Sequence, residues 1–349
     1  MQTFNFPSLV PQLAIFLCLL FSGCLPSGCE RDGYTELTPA DSLSRQIAAA
    51  TPTDTLELVW SATGGPEAPL EFPRTVRFGL DGRLFVSDVE RDGVFVFTPE
   101  GRFVREVTDE TLDVPFLAGL RGDTLVVLTA GTDALAFVHA GRVVRRLPLP
   151  FDREGRSSLI YAAATDTALY AKLVGEEVDN VVVRLDARGA VAERVPLPGP
   201  HWRHAGMLRP WGDSLLSLSG FRPVVDVVPL PMQGAARVDT MALRGFDSPM
   251  LARSRAFLVG DVSTAPLLTA AAAPAGDALF ALNLRPRRIQ VDVYDRAGRL
   301  QRRLVTPDGA DSHYPRDVDV RWRDGGYDIA VVLTDPAPRL DLYRWVPGE

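Results

Sequence analysis

The chain repeats one unit. Phe72–Val107 reads FPRTVRFGLDGRLFVSDVERDGVFVFTPEGRFVREV. Apolar runs and turn signals divide it into four short strands, RTVRF, RLFVSD, GVFVFT and RFVREV. The second-strand signature returns at 122–130, 167–173, 212–220, 276–283 and 327–335, making six occurrences. The third strand, turn and fourth strand return as ALAFVHAGRVVRRL, VVVRLDARGAVAERV and IQVDVYDRAGRLQRRL. Turn glycines mark the units at Gly101, Gly141, Gly189, Gly234 and Gly298, at intervals of 40, 48, 45 and 64 residues. A small four-stranded sheet cannot bury both of its faces alone, so repeated units stack radially around a channel. The pattern predicts an all-β, six-bladed β-propeller over residues 54–349. The long interval predicts an insertion near 244–264; a seventh blade hidden there is the alternative count.

Two details fit a closed ring. First strands crowd the channel axis and favour small residues, which Ala162–Ala164 and Ala270–Ala273 supply. The last unit lacks a fourth strand after Leu340–Trp345, and the unused strand Leu56–Trp60 can provide it. Trp60 and Trp345 then become closure contacts. The unit Phe72–Val107 resembles an NHL repeat: Pro then Val, Gly-x-Leu-Phe-Val-x-Asp, Val-x-Val-Phe and a Gly-aromatic-Val finish. YPRDVDV at 314–320 echoes FPRTVRF at 72–78. The chain as a whole resembles bacterial six-bladed propellers of the NHL/TolB-like type, which are often exported lipoproteins. In such repeats the acid at Asp88 caps the following loop by accepting backbone N–H groups.

The N-terminus carries an address. Residues 13–21, LAIFLCLLF, are too few to span a bilayer, which takes roughly 20 apolar residues. They suit the apolar region of a signal peptide over residues 1–23. Leu20-Phe21-Ser22-Gly23-Cys24 resembles a lipoprotein processing site, which implies a lipid on Cys24 and an exported protein anchored at the cell envelope. Residues 24–53 read as a tether, with a short helix after Thr38-Pro39. No cysteine occurs from residue 30 to 349, which suits an oxidising compartment and excludes cysteine nucleophiles and Cys-based zinc sites from the body.

Composition narrows the function classes. Lys+Arg total 37 against 44 Asp+Glu, a net charge of −7, so no broad basic face for nucleic acid is expected. Lys172 is the sole lysine, and Asn is limited to Asn5, Asn180 and Asn283; codon bias in GC-rich DNA accounts for both. Calcium-dependent propeller chemistry needs Asn, Asp and Glu ligands at the channel opening, which two body asparagines scarcely provide. Neither Gly-x-Ser-x-Gly nor a phosphate loop is present. No catalytic residue, metal or cofactor is assigned.

The candidate site is one rim of the channel. Arg74 and Arg316 hold the same place in FPRTV and YPRDV, on blades that become neighbours when the ring closes. Arg203 is expected at the same rim with His201, Trp202 and His204. Converging guanidiniums suit a carboxylate, a phosphate or an acidic peptide segment. The competing reading pairs Arg74 and Arg316 internally with Asp317 or Asp88. His201, His204 and His313 are the donors a rim zinc would need, with ordinary hydrogen bonding as the alternative. Trp202 and Trp211 flank one unit as a possible wall, and Trp322 reads as packing. The functional expectation is a tethered, non-enzymatic binding or scaffold propeller that engages a protein partner or anionic ligand. The alternative is a hydrolase or lyase with a metal at the rim.

Overall fold

The structure, a computed structural model, describes residues 41–151, 156–232, 237–258, 260, 263, 266–285, 287–309 and 313–348. The signal peptide, Cys24, the tether up to residue 40 and the turn at Gly234 lie outside the described residues.

A helix, α1 (Asp41–Ala50), leads into β1 (Thr53–Thr55) and β2 (Glu57–Ala62). Blade one comprises β3 (Pro73–Phe78), β4 (Leu84–Asp88), β5 (Gly93–Phe97) and β6 (Phe103–Thr108). Blade two comprises β7 (Pro115–Arg121), β8 (Thr124–Thr129), β9 (Ala134–His139) and β10 (Arg142–Pro148). Blade three comprises β11 (Ser158–Ala164), β12 (Leu169–Gly175), β13 (Val181–Leu185) and β14 (Val191–Pro196). Blade four comprises β15 (Leu208–Trp211), β16 (Ser214–Leu218), β17 (Val224–Pro229) and β18 (Asp239–Ala242). Blade five comprises β19 (Thr269–Ala275), β20 (Ala278–Asn283), β21 (Gln290–Tyr294) and β22 (Leu300–Val305). Blade six comprises β23 (Pro315–Arg323), β24 (Gly326–Leu333) and β25 (Arg339–Trp345). Its fourth strand is β2, antiparallel to β25, with Trp60 opposite Leu342. The chain is thus a six-bladed, all-β propeller closed by its N-terminal strand.

Each first strand touches the first strand of the next blade, all the way round the ring. Close approach needs small residues there. Gly119 in β7 shows why: a Cβ on it would lie 2.7 Å from the Ala164 carbonyl of β11. The apolar core is divided among the seams between blades. Val76, Val86 and Phe95 of blade one pack against Ala330 and Val332 of blade six, and the other five seams are filled likewise. No blade buries its faces alone, which is what the repeat requires. The turn glycines serve the seams too. Gly101, at φ +79°, lies under the Trp60 ring; a Cβ there would be 2.5 Å from it. Trp60 in turn donates its indole N–H to the Pro99 carbonyl at 3.0 Å, joining blade six to blade one.

Two features, β1 and Trp322, depart from the sequence reading, and the expected insertion near 244–264 is present. β1 adds to blade five as a fifth strand, parallel to β22, so the N-terminus grips two blades. The insertion after blade four holds α2 (Leu251–Leu258), pinned by Ser254, whose hydroxyl donates to the Phe221 carbonyl at 2.8 Å. Among its described residues there is no seventh blade. Trp322 is 57% exposed, with only its edge against Tyr327, and is not core packing. In addition, α1 buries Ser44 and Ala48 and packs Ile47 against the seam between blades four and five.

Candidate functional site

Arg74 and Arg316 owe their positions to β-bulges. Pro73 pairs with Asp88 and Thr75 with Ser87, so Arg74 is the extra residue between them. Pro315 pairs with Leu333 and Asp317 with Val332, which leaves Arg316 in the same situation. Proline at a strand start has no N–H to lose from the ladder, and the bulge after it re-aims the next side chain. Blade five repeats the device between Thr269 and Ala271, with Ala270 as the extra residue.

The re-aimed arginines enter an aromatic ladder. The Arg316 guanidinium lies 4.1 Å from the Tyr314 ring centroid and 4.8 Å from that of Phe72. The Arg74 guanidinium lies 5.8 Å from Phe72 and 5.6 Å from Phe116 of blade two. Each cation thus has two rings, and Phe72 is shared. Cation–π contacts of this kind hold each guanidinium beside its rings. Asp88 fixes Phe72: its carboxylate accepts the backbone N–H groups of Glu71 at 2.7 Å, Phe72 at 2.9 Å and Glu90 at 3.1 Å. The expected cap is present, and it also ties down the chain leading into β3.

Among the described residues, no carboxylate forms an ion pair with Arg74 or Arg316, and the only side-chain acceptor for Arg316 is Thr334, 3.1 Å from its Nε. Burial depresses the Arg74 pKa below its ordinary value. Burial, and then the charge of Arg74, bring Arg316 down to about 10. Asp317 is engaged one layer deeper. It accepts from Arg77 at 2.8 Å and from Arg209 at 2.6 Å, as well as from the Val76 N–H at 3.0 Å. Arg77 also donates to the Leu117 carbonyl and Arg209 to that of Ala272. These contacts are spokes that join blades one, two, four, five and six beneath the rim. Next to them, burial pushes the Asp319 carboxyl up to about 6.

The other expected site residues are differently placed. Arg203 does not offer a free fork: its Nη2 donates to Asp226 at 3.0 Å and to Thr240 at 2.7 Å. His204 is fully buried, with Nδ1 2.9 Å from Asp226 and Nε2 2.9 Å from the Pro198 carbonyl. His201 is half-buried, and burial lowers its pKa. Trp202 is faced by the Arg222 guanidinium at 5.9 Å. Trp211 lies at the far end of β15, buried, with its indole N–H on the Gly276 carbonyl, so it forms no wall with Trp202. His313 Nδ1 lies 3.3 Å from Arg339 Nη2. No group of three His, Cys, Asp or Glu side chains among the described residues has metal-holding geometry.

Lys172 is a residue to which the sequence reading gave no role. It is fully buried in β12 and donates to the carbonyls of His204 (2.8 Å) and Gly206 and to the Ser217 hydroxyl (2.9 Å). It ties blade three to the segment that begins blade four. Its Nζ lies 4.5 Å from the Tyr161 ring centroid. Burial brings the lysine down to about 7 and raises Tyr161 to about 12; the charge of Arg74 partly opposes the tyrosine's rise.

No family model matches the chain, and no curated protein matches it. Among solved structures it is similar to regucalcin, a calcium-binding protein from Agrobacterium tumefaciens. That match is 12% identical, covers 84% of this chain and 94% of the other, and has a TM-score of 0.53. Streptogramin B lyase matches at 11% identity over 83% and 88% of the two chains, with a TM-score of 0.51. A luciferin-regenerating enzyme matches at 11% identity over 80% and 92%, with a TM-score of 0.52. At these identities the likeness is one of fold, and the fold is shared by enzymes and binding proteins.

Proposed function

We propose that the protein is a non-enzymatic binding propeller that holds an anionic ligand, or an acidic loop of a partner protein, at the rim formed by blades six and one. One observation carries the reading. Arg74 and Arg316 converge on the same Phe72 ring and have no carboxylate partner among the described residues. Two neighbouring cations repel each other, and a bound oxyanion relieves that cost while matching their planar forks. The alternative, a rim metal in a hydrolase or lyase, finds no donor cluster among the described residues. A lipid on Cys24 would present the rim from the cell envelope; this part of the proposal rests on the sequence alone.

The test is the double substitution Arg74→Ala with Arg316→Ala. Retention of anions on an immobilised chain should be lost. The melting temperature should change little, since neither cation pairs with a described carboxylate and the two oppose each other's charge. Anion capture unchanged in the double variant refutes the proposal. A collapse of the melting temperature with capture intact assigns the pair a purely structural role.

A further inference from the structure

We infer that the rim selects a doubly charged, tetrahedral oxyanion, a phosphomonoester or phosphonate group, over a carboxylate. The inference rests on the rim reading above and narrows it. A carboxylate has two oxygens in one plane and matches a single guanidinium fork. Here two guanidiniums arrive from two blades, each beside two rings, so each is held by its own set of contacts. A phosphoryl group has three terminal oxygens in different directions and can accept from both forks at once.

The charge balance points the same way. No described carboxylate is paired with either rim arginine, and Asp335 acts on Arg316 only through space. The layer beneath does not neutralise the rim pair. Asp317 there is shared by two arginines, Arg77 and Arg209. Arg209 is 5% exposed, and its Nη1 has no hydrogen-bond partner. The remaining acid of that layer, Asp319, is raised to about 6 by burial and is still ionised at pH 8, so Asp317 and Asp319 balance Arg77 and Arg209 and leave none of their charge for the rim pair. One negative charge at the rim leaves an uncompensated guanidinium; two leave none. Phe116 and the Tyr161 phenol flank the Arg74 side, and Thr334 keeps Arg316 Nε engaged.

The test uses the purified full chain at pH 8, where a phosphomonoester with a second pKa of about 6 is a dianion. Calorimetry compares phenyl phosphate, methyl phenyl phosphate and benzoate. Phenyl phosphate should bind at least tenfold more tightly than either monoanion. Arg74→Gln or Arg316→Gln should cut that preference to threefold or less. Equal or tighter binding of benzoate, abolished by the same substitutions, overturns the selectivity and leaves the rim reading standing. Failure of all three anions to bind overturns both. A parallel sedimentation with phosphatidylcholine vesicles containing phosphatidate locates the group. Arginine-dependent pelleting supports the inference with a lipid source. Phenyl phosphate binding without pelleting supports it with a soluble one.

Discussion

Lys172 gives the protein a pH dependence that can be worked out from one side chain. Burial brings the ammonium down from 10.5 to about 7, with Asp226 partly opposing the fall. In the unfolded chain the lysine takes up its proton at the higher value; in the folded chain it waits until the lower one. Between the two, the unfolded state binds more protons, so the free energy of unfolding falls as pH falls. Below the folded value both states are protonated and the dependence ends. At about 1.4 kcal/mol per pH unit, going from about pH 9.5 to about pH 7.5 removes roughly 2–3 kcal/mol through this one group. Lys172→Met keeps the aliphatic stem and cannot titrate, but it abandons the carbonyls of His204 and Gly206. The substitution is therefore destabilising, most so at high pH. Urea unfolding of both proteins should show the gap between them narrowing by roughly 2–3 kcal/mol as pH falls across that window. Parallel stability curves would refute the account, because they would mean that the lysine keeps an ordinary pKa in the fold.

Three further outcomes are expected. Deleting residues 54–61 removes the strand opposite β25 and most of β1, and should abolish cooperative thermal unfolding and cause aggregation; deleting residues 25–40 should leave the melting curve unchanged. Asp317→Asn leaves Arg77 and Arg209 without their shared counter-charge and should cost about 3–5 kcal/mol in denaturant titrations. Cys24→Ser should move the protein from the membrane fraction to the soluble fraction and prevent palmitate labelling, because stable anchoring needs at least two acyl chains.

The frame was legible in the sequence because backbone rules impose it locally. A turn at positive φ pressed against a neighbouring blade admits little except glycine, so Gly101, Gly141, Gly189 and Gly298 marked the period. The closing strand followed from counting strands in the last unit. The duplicated aromatic-Pro-Arg motif placed Arg74 and Arg316 together, since equivalent positions on adjacent blades share a rim. What stayed hidden depends on contacts across the ring. Arg209 meets Asp317 across 108 positions of sequence, and nothing local distinguishes it from Arg203, whose partner is Asp226. Lys172 sits in an apolar strand, where its three acceptors come from another blade. β1 is only three residues long, too short for any periodicity to declare it.

The same repeat that builds the frame also explains why the site is one-sided. Bulges at the start of the first strand occur in blades five, six and one, which are consecutive around the ring. Arginine fills the extra position in two of them and alanine in the third. Arg77 and Arg209, by contrast, are ladder residues paired with Phe85 and Leu216, and both point to partners inside the channel. A cation in the ladder is thus delivered to a fixed acceptor, whereas one on a bulge is turned out of the ladder and stacked on rings. Ala270 carries no side chain past Cβ, so blade five adds no third cation. Phe116 occupies the opposite flank with an aromatic face. The two cations are therefore flanked by rings on both sides, Tyr314 beside Arg316 and Phe116 beside Arg74, with Phe72 shared between them.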